Sequence, residues 1–176
     1  MFQRPQVVLL GCFHQAQLPP ISNTLWDDHR RAFAEVLAEL LTTFRIQFIG
    51  EEAEQGAPSG AAKMAASRHI GYHNLDIPLT VQQGIRVHPP YGFDEETGEI
   101  TKFEGNNQYV DAWNIVREYH MYQTFLDVYD GCSPSLLICG TAHQGGLRKL
   151  LGRQFEIVSK TFDIENGIGR LIELGK

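Results

Sequence analysis

Two histidines follow the same short pattern at distant points of the chain. "VVLL" runs into "GCFHQ", which places His14 three residues after Gly11, and "SLLICG" runs into "TAHQGG", which places His143 three residues after Gly140. Runs of four apolar residues are typical of short strands buried on both faces. Glycine at such a strand end allows a sharp turn or the close approach of a ligand. A histidine placed there can ligate a divalent metal that keeps an open position for water, or act as a general base toward water.

Carboxylates follow two further predicted strands. Glu51 and Glu52 come directly after "IQFIG", and Asp76 ends "HNLDIP". In an open parallel sheet the ligand crevice lies outside the carboxyl ends of the strands, so we expect these acids to share one rim with His14 and His143. Either glutamate could be the site acid or a solvated loop residue, and we favour Glu51. The predicted metal ligands are therefore His14, Glu51 and His143, with Asp76 as a further residue for binding a cofactor.

An arginine on a mostly apolar helical strip completes the predicted site. On a helical wheel Arg117 shares its strip with Trp113 and Met121. Unpaired burial of a guanidinium is costly, so Arg117 needs a crevice carboxylate or an anionic group of a substrate as its partner. We expect it to stabilise negative charge that develops on a substrate. His120, one turn further on, could share this surface and help to bind a cofactor.

The elements that must position these residues alternate along the chain. Strands are predicted over 7–11, 46–50, 73–78, 135–140 and 155–162, and helices over 24–44, 59–71, 108–129 and from the "GGLRKLLG" segment onward. This alternation predicts an α/β fold with a mainly parallel sheet flanked by helices, in a single domain spanning 1–176. The Gly145-Gly146 pair could cradle an anion at the start of the last helix or simply make a tight turn.

The segment over 87–107 breaks this alternation. It is rich in proline, glycine and acids and has no sustained period. We predict a long lid-like loop there, with room for a hairpin around Thr97-Gly98, because loops of this length are usually functional or mobile.

Composition narrows the function classes. The 176 residues are 43% hydrophobic and 20% charged, as in an ordinary globular protein. The net charge of −6 argues against nucleic acid or an anionic membrane as a partner. No apolar run approaches the ~18 residues that span a bilayer, and the N-terminus does not resemble a signal peptide. The odd count of three cysteines favours reduced thiols and predicts a cytoplasmic location. A homo-oligomer is possible.

In order along the chain, "GCFH", "GEE", "REYHM" and "GTAH", together with "LDIPLT" at the third strand, resemble the motifs of the TraB/Tiki group. The wider superfamily includes the erythromycin esterases and the ChaN-like haem-binding proteins. The resemblance covers most of the chain from Val7 to Leu151. Two positions depart from the family pattern, because His120 stands where an acid is often found and Asn74 replaces the first aspartate of the third-strand motif.

The resemblance implies a site made of His14, a glutamate at 51 or 52, Arg117 and His143. Tiki-like members are regarded as metal-dependent proteases, and the esterases as hydrolases that use an activated water. The chain lacks the extra helical insertions of the esterases, which argues against a large macrolide-type substrate.

These observations lead to one main hypothesis and two alternatives. The main hypothesis is a small hydrolase that acts on a peptide, an ester or a related bond of a peptide or small-molecule substrate, with a divalent metal or a histidine that activates water. The first alternative is a non-catalytic protein that binds haem, a metal or a small anion in the same crevice. The second is an assembly subunit whose site is vestigial.

Overall fold

A mixed six-stranded sheet runs through the middle of the molecule in the computed structural model. The structure describes residues 4–17, 27–53, 58–78, 81, 91–93, 100–102, 107–131, 134–165 and 168–173. The strands are β1 (Gln6–Cys12), β2 (Phe48–Glu51), β3 (Gly71–Asn74), β4 (Tyr91–Phe93), β5 (Ile100–Lys102), β6 (Ser135–Gly140), β7 (Glu156–Glu165) and β8 (Ile168–Glu173). The helices are α1 (His14–Gln17), α2 (Asp27–Thr43), α3 (Gly60–Arg68), α4 (Asn107–Val128) and α5 (Thr141–Leu151).

The strand order of the large sheet is β3-β2-β6-β1-β7-β8. All neighbours are parallel except β7 and β8, which pair antiparallel at one edge. The predicted fold class, an α/β domain with a mainly parallel sheet flanked by helices, is therefore confirmed. A separate antiparallel pair joins β4 to β5 on either side of the residues around Thr97-Gly98.

The central strands are buried on both faces, as their continuous apolar runs predict. Val7 to Leu10 of β1 and Leu136 to Ile138 of β6 are all 2% exposed or less. Described helices cover both faces of the sheet. Side chains of α2 and α3 pack in one core cluster with Leu10 and Ile138, while those of α4 and α5 pack in the other with Leu9.

Helix α2 shows how the sequence produces this packing. Its buried residues recur at helical spacing and face the sheet: Phe33, Val36, Leu37, Leu40 and Leu41. Asp27 and Asp28 occupy its first turn, where carboxylates complement the positive end of the helix dipole. The predicted beginning of this helix at Thr24 lies outside the described residues. None of the described helices is long and apolar enough to cross a membrane.

Several predicted boundaries are wrong, including the end of the second helix, which is Arg68 and not residue 71, and two of them affect the site. The last helix begins at Thr141 rather than at the glycine pair, so His143 lies in its first turn and Gly145-Gly146 lies inside the helix. The third strand covers Gly71–Asn74 and not 73–78, since the Asn74 side chain bonds across to Ala53 and the chain leaves the ladder there. Most of the predicted lid-like loop over 87–107 lies outside the described residues.

Candidate functional site

The two Gly-x-x-His segments lie side by side. Strands β1 and β6 are parallel neighbours, with Gly11 opposite Cys139 and Cys12 opposite Gly140. Both strands are followed by a helix: His14 is the first residue of α1, and His143 lies in the first turn of α5. The side chain of His14 lies outside the described part of the chain. The two histidines therefore leave adjacent strands at the same edge of the sheet, where parallel strands place their ligand crevice.

A crevice is expected at this edge because the chain changes direction there. Strands β2 and β6 are neighbours, but the helix that follows β2 packs on one face of the sheet and the helix that follows β6 packs on the other. This arrangement is a topological switch point, at which open α/β sheets bind their ligands. Glu52 bridges the two strand ends, since its backbone N–H donates to the carbonyl of Ile138 and its Oε2 accepts from the N–H of Gly140 at 2.7 Å.

The adjacent glutamates point to opposite faces of the sheet, because side chains alternate along a strand. Glu51 faces the α2–α3 layer, where Ser59 Oγ and Tyr72 Oη donate to its Oε2 at 2.5 and 2.8 Å. Glu52 faces the α4–α5 layer. Both side chains are completely buried. The sequence analysis favoured Glu51 and left Glu52 as the alternative, and the structure gives each acid a separate environment.

The surroundings of Glu51 are mostly uncharged. Burial raises the pKa of Glu51 to about 7, although the hydrogen bonds from Ser59 and Tyr72 act in the opposite direction. Burial and the nearby carboxylate of Glu51 raise the pKa of Tyr72, so its phenol stays protonated and remains a donor. Ser59 also accepts from the N–H of Ala62 as the N-cap of α3. Glu51 is thus attached to the beginning of that helix.

Arg117 joins two carboxylates on the other face. Its Nε and Nη2 donate to the two oxygens of Asp76 at 3.1 and 2.8 Å, and Nη2 also donates to Glu52 Oε1 at 2.5 Å. The side chains of Arg117, Glu52 and Asp76 are 17%, 0% and 8% exposed. Burial alone would lower the pKa of Arg117, but Glu52 and Asp76 raise it. The partner that the sequence required is thus supplied by the protein itself.

Asn74 positions Asp76 and was not recognised as important in the sequence. Its Oδ1 accepts from the N–H groups of Ala53 and Asp76 at 3.3 and 3.0 Å, and its Nδ2 donates to the carbonyl of Ala53 at 2.9 Å. The amide therefore ties the segments after β2 and β3 together, which an aspartate could not do with the same donor. In the sequence, Asn74 differs from the aspartate of the motif that this segment resembles.

His143 lies between two carboxylates. Its Nε2 is 3.4 Å from Glu52 Oε1, and its Nδ1 is 3.5 Å from Glu118 Oε1. The His143 side chain is 4% exposed and that of Glu118 is 12% exposed. Glu118 was not predicted, although it directly follows Arg117 on α4. Arg117 and His143 thus share Glu52 as a common partner.

The remaining predicted residues have other surroundings. His120 is half-buried and lies 3.4 Å from Thr124 Oγ1 on its own helix. Asp76, predicted to bind a cofactor, is paired with Arg117. The cysteines Cys12 and Cys139 are free and pack on opposite faces of the sheet, where burial raises the pKa of both thiols well above the ordinary value.

The predicted metal ligands do not form a described cluster. Within the part of the chain that the structure describes, no three histidine, cysteine or acidic side chains are arranged so that they could hold a metal ion. The described contacts of Glu51 and of His143 lie on opposite faces of the sheet. The side chain of His14, the third predicted ligand, is outside that part.

Gln144, the residue after His143, has a structural role that sequence reasoning missed. Its buried amide donates to the carbonyls of Leu9 and Lys160 at 3.4 and 2.7 Å and accepts from Thr161 Oγ1 at 2.9 Å. It therefore links α5 to two neighbouring strands. A Cβ atom on Gly11 would come within 2.5 Å of this amide, so the glycine of the first motif makes room for the glutamine of the second.

Comparison of the chain with models of protein families, with curated proteins and with solved structures gives no match. The resemblance to the TraB/Tiki group stays a prediction from short motifs.

Proposed function

We propose that the chain is a hydrolase in which His143 activates water at the carboxyl edge of the sheet and Glu52 orients the imidazole. The observation that carries this proposal is the approach of His143 Nε2 to Glu52 Oε1 at 3.4 Å. This distance is longer than a good hydrogen bond, but catalytic contacts commonly tighten only when the substrate binds.

The bonding of Glu52 decides which nitrogen of His143 is basic. A carboxylate only accepts hydrogen bonds, and Glu52 already accepts from Gly140 and Arg117. The imidazole nitrogen that faces it, Nε2, therefore carries the proton. Nδ1 is left without that proton and is the basic nitrogen, following the logic by which a buried carboxylate sets the tautomer of a catalytic histidine. Because Glu118 Oε1 lies 3.5 Å from Nδ1, the water that gives a proton to Nδ1 would donate its second hydrogen to this carboxylate.

The role proposed for Arg117 changes with its geometry. The sequence suggested a clamp for negative charge on the substrate, whereas two carboxylates of the protein already bind this guanidinium. We propose that Arg117 holds Glu52 in place for His143. Among the described side chains, the three carboxylates Glu52, Asp76 and Glu118 outnumber the two cations near them, Arg117 and Lys149, which favours a neutral or cationic ester or peptide over an anionic substrate.

Activity on a panel of chromogenic esters and short peptides tests the proposal. We expect His143→Gln to lower kcat at least 100-fold, because general base catalysis contributes roughly this much. His73→Gln changes an exposed histidine on β3 and is the matched control. The same panel includes His14→Ala. Wild-type activity in folded His143→Gln and His14→Ala proteins would overturn the proposal.

Metal analysis of the purified protein separates the two chemical forms of the hydrolase. The metal-dependent form requires His14 to complete a ligand set that the described side chains do not make, so we derive no step through a metal. If the purified protein holds one divalent ion per chain and loses activity when that ion is removed, the metal-dependent form is correct and the metal-free mechanism proposed above is wrong. A haem titration without a Soret shift would remove the haem-binding alternative.

We also propose a cytoplasmic location. It is supported by the absence of a disulfide between the two described cysteines, which pack on opposite faces of the sheet. Fractionation of cells that express the tagged chain tests it.

A further inference from the structure

A carboxylate from α4 is inserted against α5 beside the proposed catalytic histidine. Glu118 Oε1 lies 3.5 Å from His143 Nδ1, and its side chain is only 12% exposed. Desolvation raises the pKa of Glu118, with Lys149 acting in the opposite direction and Glu52 adding to the rise. The contact with His143 is thus made by a carboxyl group that is largely removed from solvent.

The glycine pair of the second motif explains how the carboxylate fits. A Cβ atom on Gly146 would overlap the Glu118 carboxylate, whereas a Cβ atom on Gly145 would meet no atom within 4 Å. Both glycines lie inside α5, where glycine is less favourable than alanine. The close approach of Glu118 explains why residue 146 is a glycine, but it does not explain Gly145.

We propose that Glu118 is a positioning residue for His143 and that Gly146 admits it. The imidazole then has a carboxylate at each nitrogen, Glu52 at Nε2 and Glu118 at Nδ1. The χ2 torsion of histidine is broad and roughly two-fold, so one contact leaves the ring free to rock. Two contacts on opposite sides of the ring restrict that motion. The positioning role can be tested without enzymatic activity, and only its expected effect on kcat rests on the function proposed for His143.

The test uses an NMR signal that does not depend on turnover. Protein labelled with ¹⁵N-histidine gives ring-nitrogen signals, and His143→Gln assigns those of His143. We expect Glu118→Gln, which preserves the shape of the side chain, and Gly146→Ala, which displaces it, to shift the His143 signals and to lower kcat about tenfold. Gly145→Ala is the matched control and leaves both at the wild-type level.

A double variant separates positioning from packing. In Glu118→Ala/Gly146→Ala no carboxylate is left to overlap with the new Cβ atom, so shifted His143 signals in this variant come from the loss of Glu118 and not from crowding. Wild-type His143 signals in folded Glu118→Gln would overturn the positioning role, whatever the activity. Shifted signals in Glu118→Gln, combined with full hydrolysis by His143→Gln, would keep the positioning role and overturn the proposed function instead.

Discussion

Replacing Glu51 with glutamine should change how the stability of the protein depends on pH. The pKa of Glu51 is raised from its ordinary value of 4.5 to about 7 because the carboxyl is buried. Below pH 4.5 the folded and unfolded chains both carry the proton. Between pH 4.5 and 7 the unfolded chain releases it while the folded chain keeps it, so the free energy of unfolding falls as pH rises. Above pH 7 this loss is complete.

The size of the effect follows from the two pKa values. Each pKa unit corresponds to about 1.4 kcal/mol, so the rise from 4.5 to about 7 costs the folded state about 3 kcal/mol at most above pH 7. Glutamine has no proton to lose, and its carbonyl can accept from Ser59 and Tyr72 as the acid does. We therefore expect Glu51→Gln to match the wild type within about 1 kcal/mol near pH 4.5 and to exceed it by up to about 3 kcal/mol at pH 8.5.

Urea unfolding at a series of pH values between 4.5 and 8.5 measures this difference. Glu39→Gln changes an exposed glutamate on α2 and should leave the pH dependence of the wild type intact. If Glu51→Gln shows the same slope of unfolding free energy against pH as the wild type, the reasoning about the buried carboxyl is wrong.

Three further substitutions test the packing around the site by urea or thermal unfolding. Gly50→Ala should cost about 1–3 kcal/mol, because a Cβ atom would come within 2.6 Å of Leu75 and 2.7 Å of Leu137. Gly60→Ala is the control, since a Cβ atom there would meet no atom within 4 Å, and equal stability of the two variants would contradict the prediction. Gln144→Ala should cost about 1–3 kcal/mol, because the carbonyls of Leu9 and Lys160 lose the hydrogen bonds that the amide donates. A cost below about 0.5 kcal/mol would show that those bonds matter little. Arg117→Met should cost about 3–5 kcal/mol, because it leaves two carboxylates buried without their cation. Adding Glu52→Gln to this variant should recover part of the lost stability, and no recovery would argue against the ion pair as the cause.

The central part of the fold could be predicted because its strands are buried on both faces. The continuous apolar runs of β1 and β6 are typical of strands buried on both faces, and the alternation with helices indicates a parallel sheet. The edge strands are harder to find. β3 is four residues long and its exposure alternates, so local pattern alone does not fix its ends.

The site was only partly predictable, because its contacts join residues that are far apart in the sequence. Arg117 and Asp76 are 41 residues apart, and the sequence could say only that the guanidinium needs a partner. Glu118 was missed since nothing local distinguishes it from a solvated helix acid. A signal was present elsewhere: two glycines inside a helical pattern suggest a close approach of another group, as occurs at Gly146.

The two adjacent glutamates give the last prediction, because their environments differ. Glu51 is buried among hydroxyl groups and has a raised pKa, whereas Glu52 accepts from Arg117 and Gly140 and lies beside His143. Groups whose surroundings differ in this way usually serve different purposes in a site. In the hydrolase proposed here, Glu52→Gln should lower kcat far more than Glu51→Gln, since an amide facing Nε2 no longer sets the tautomer of His143. Activity on the most responsive ester or peptide, measured for both variants at one pH, decides between the two acids. A larger loss in Glu51→Gln would move the site to the opposite face of the sheet, toward Ser59 and Tyr72.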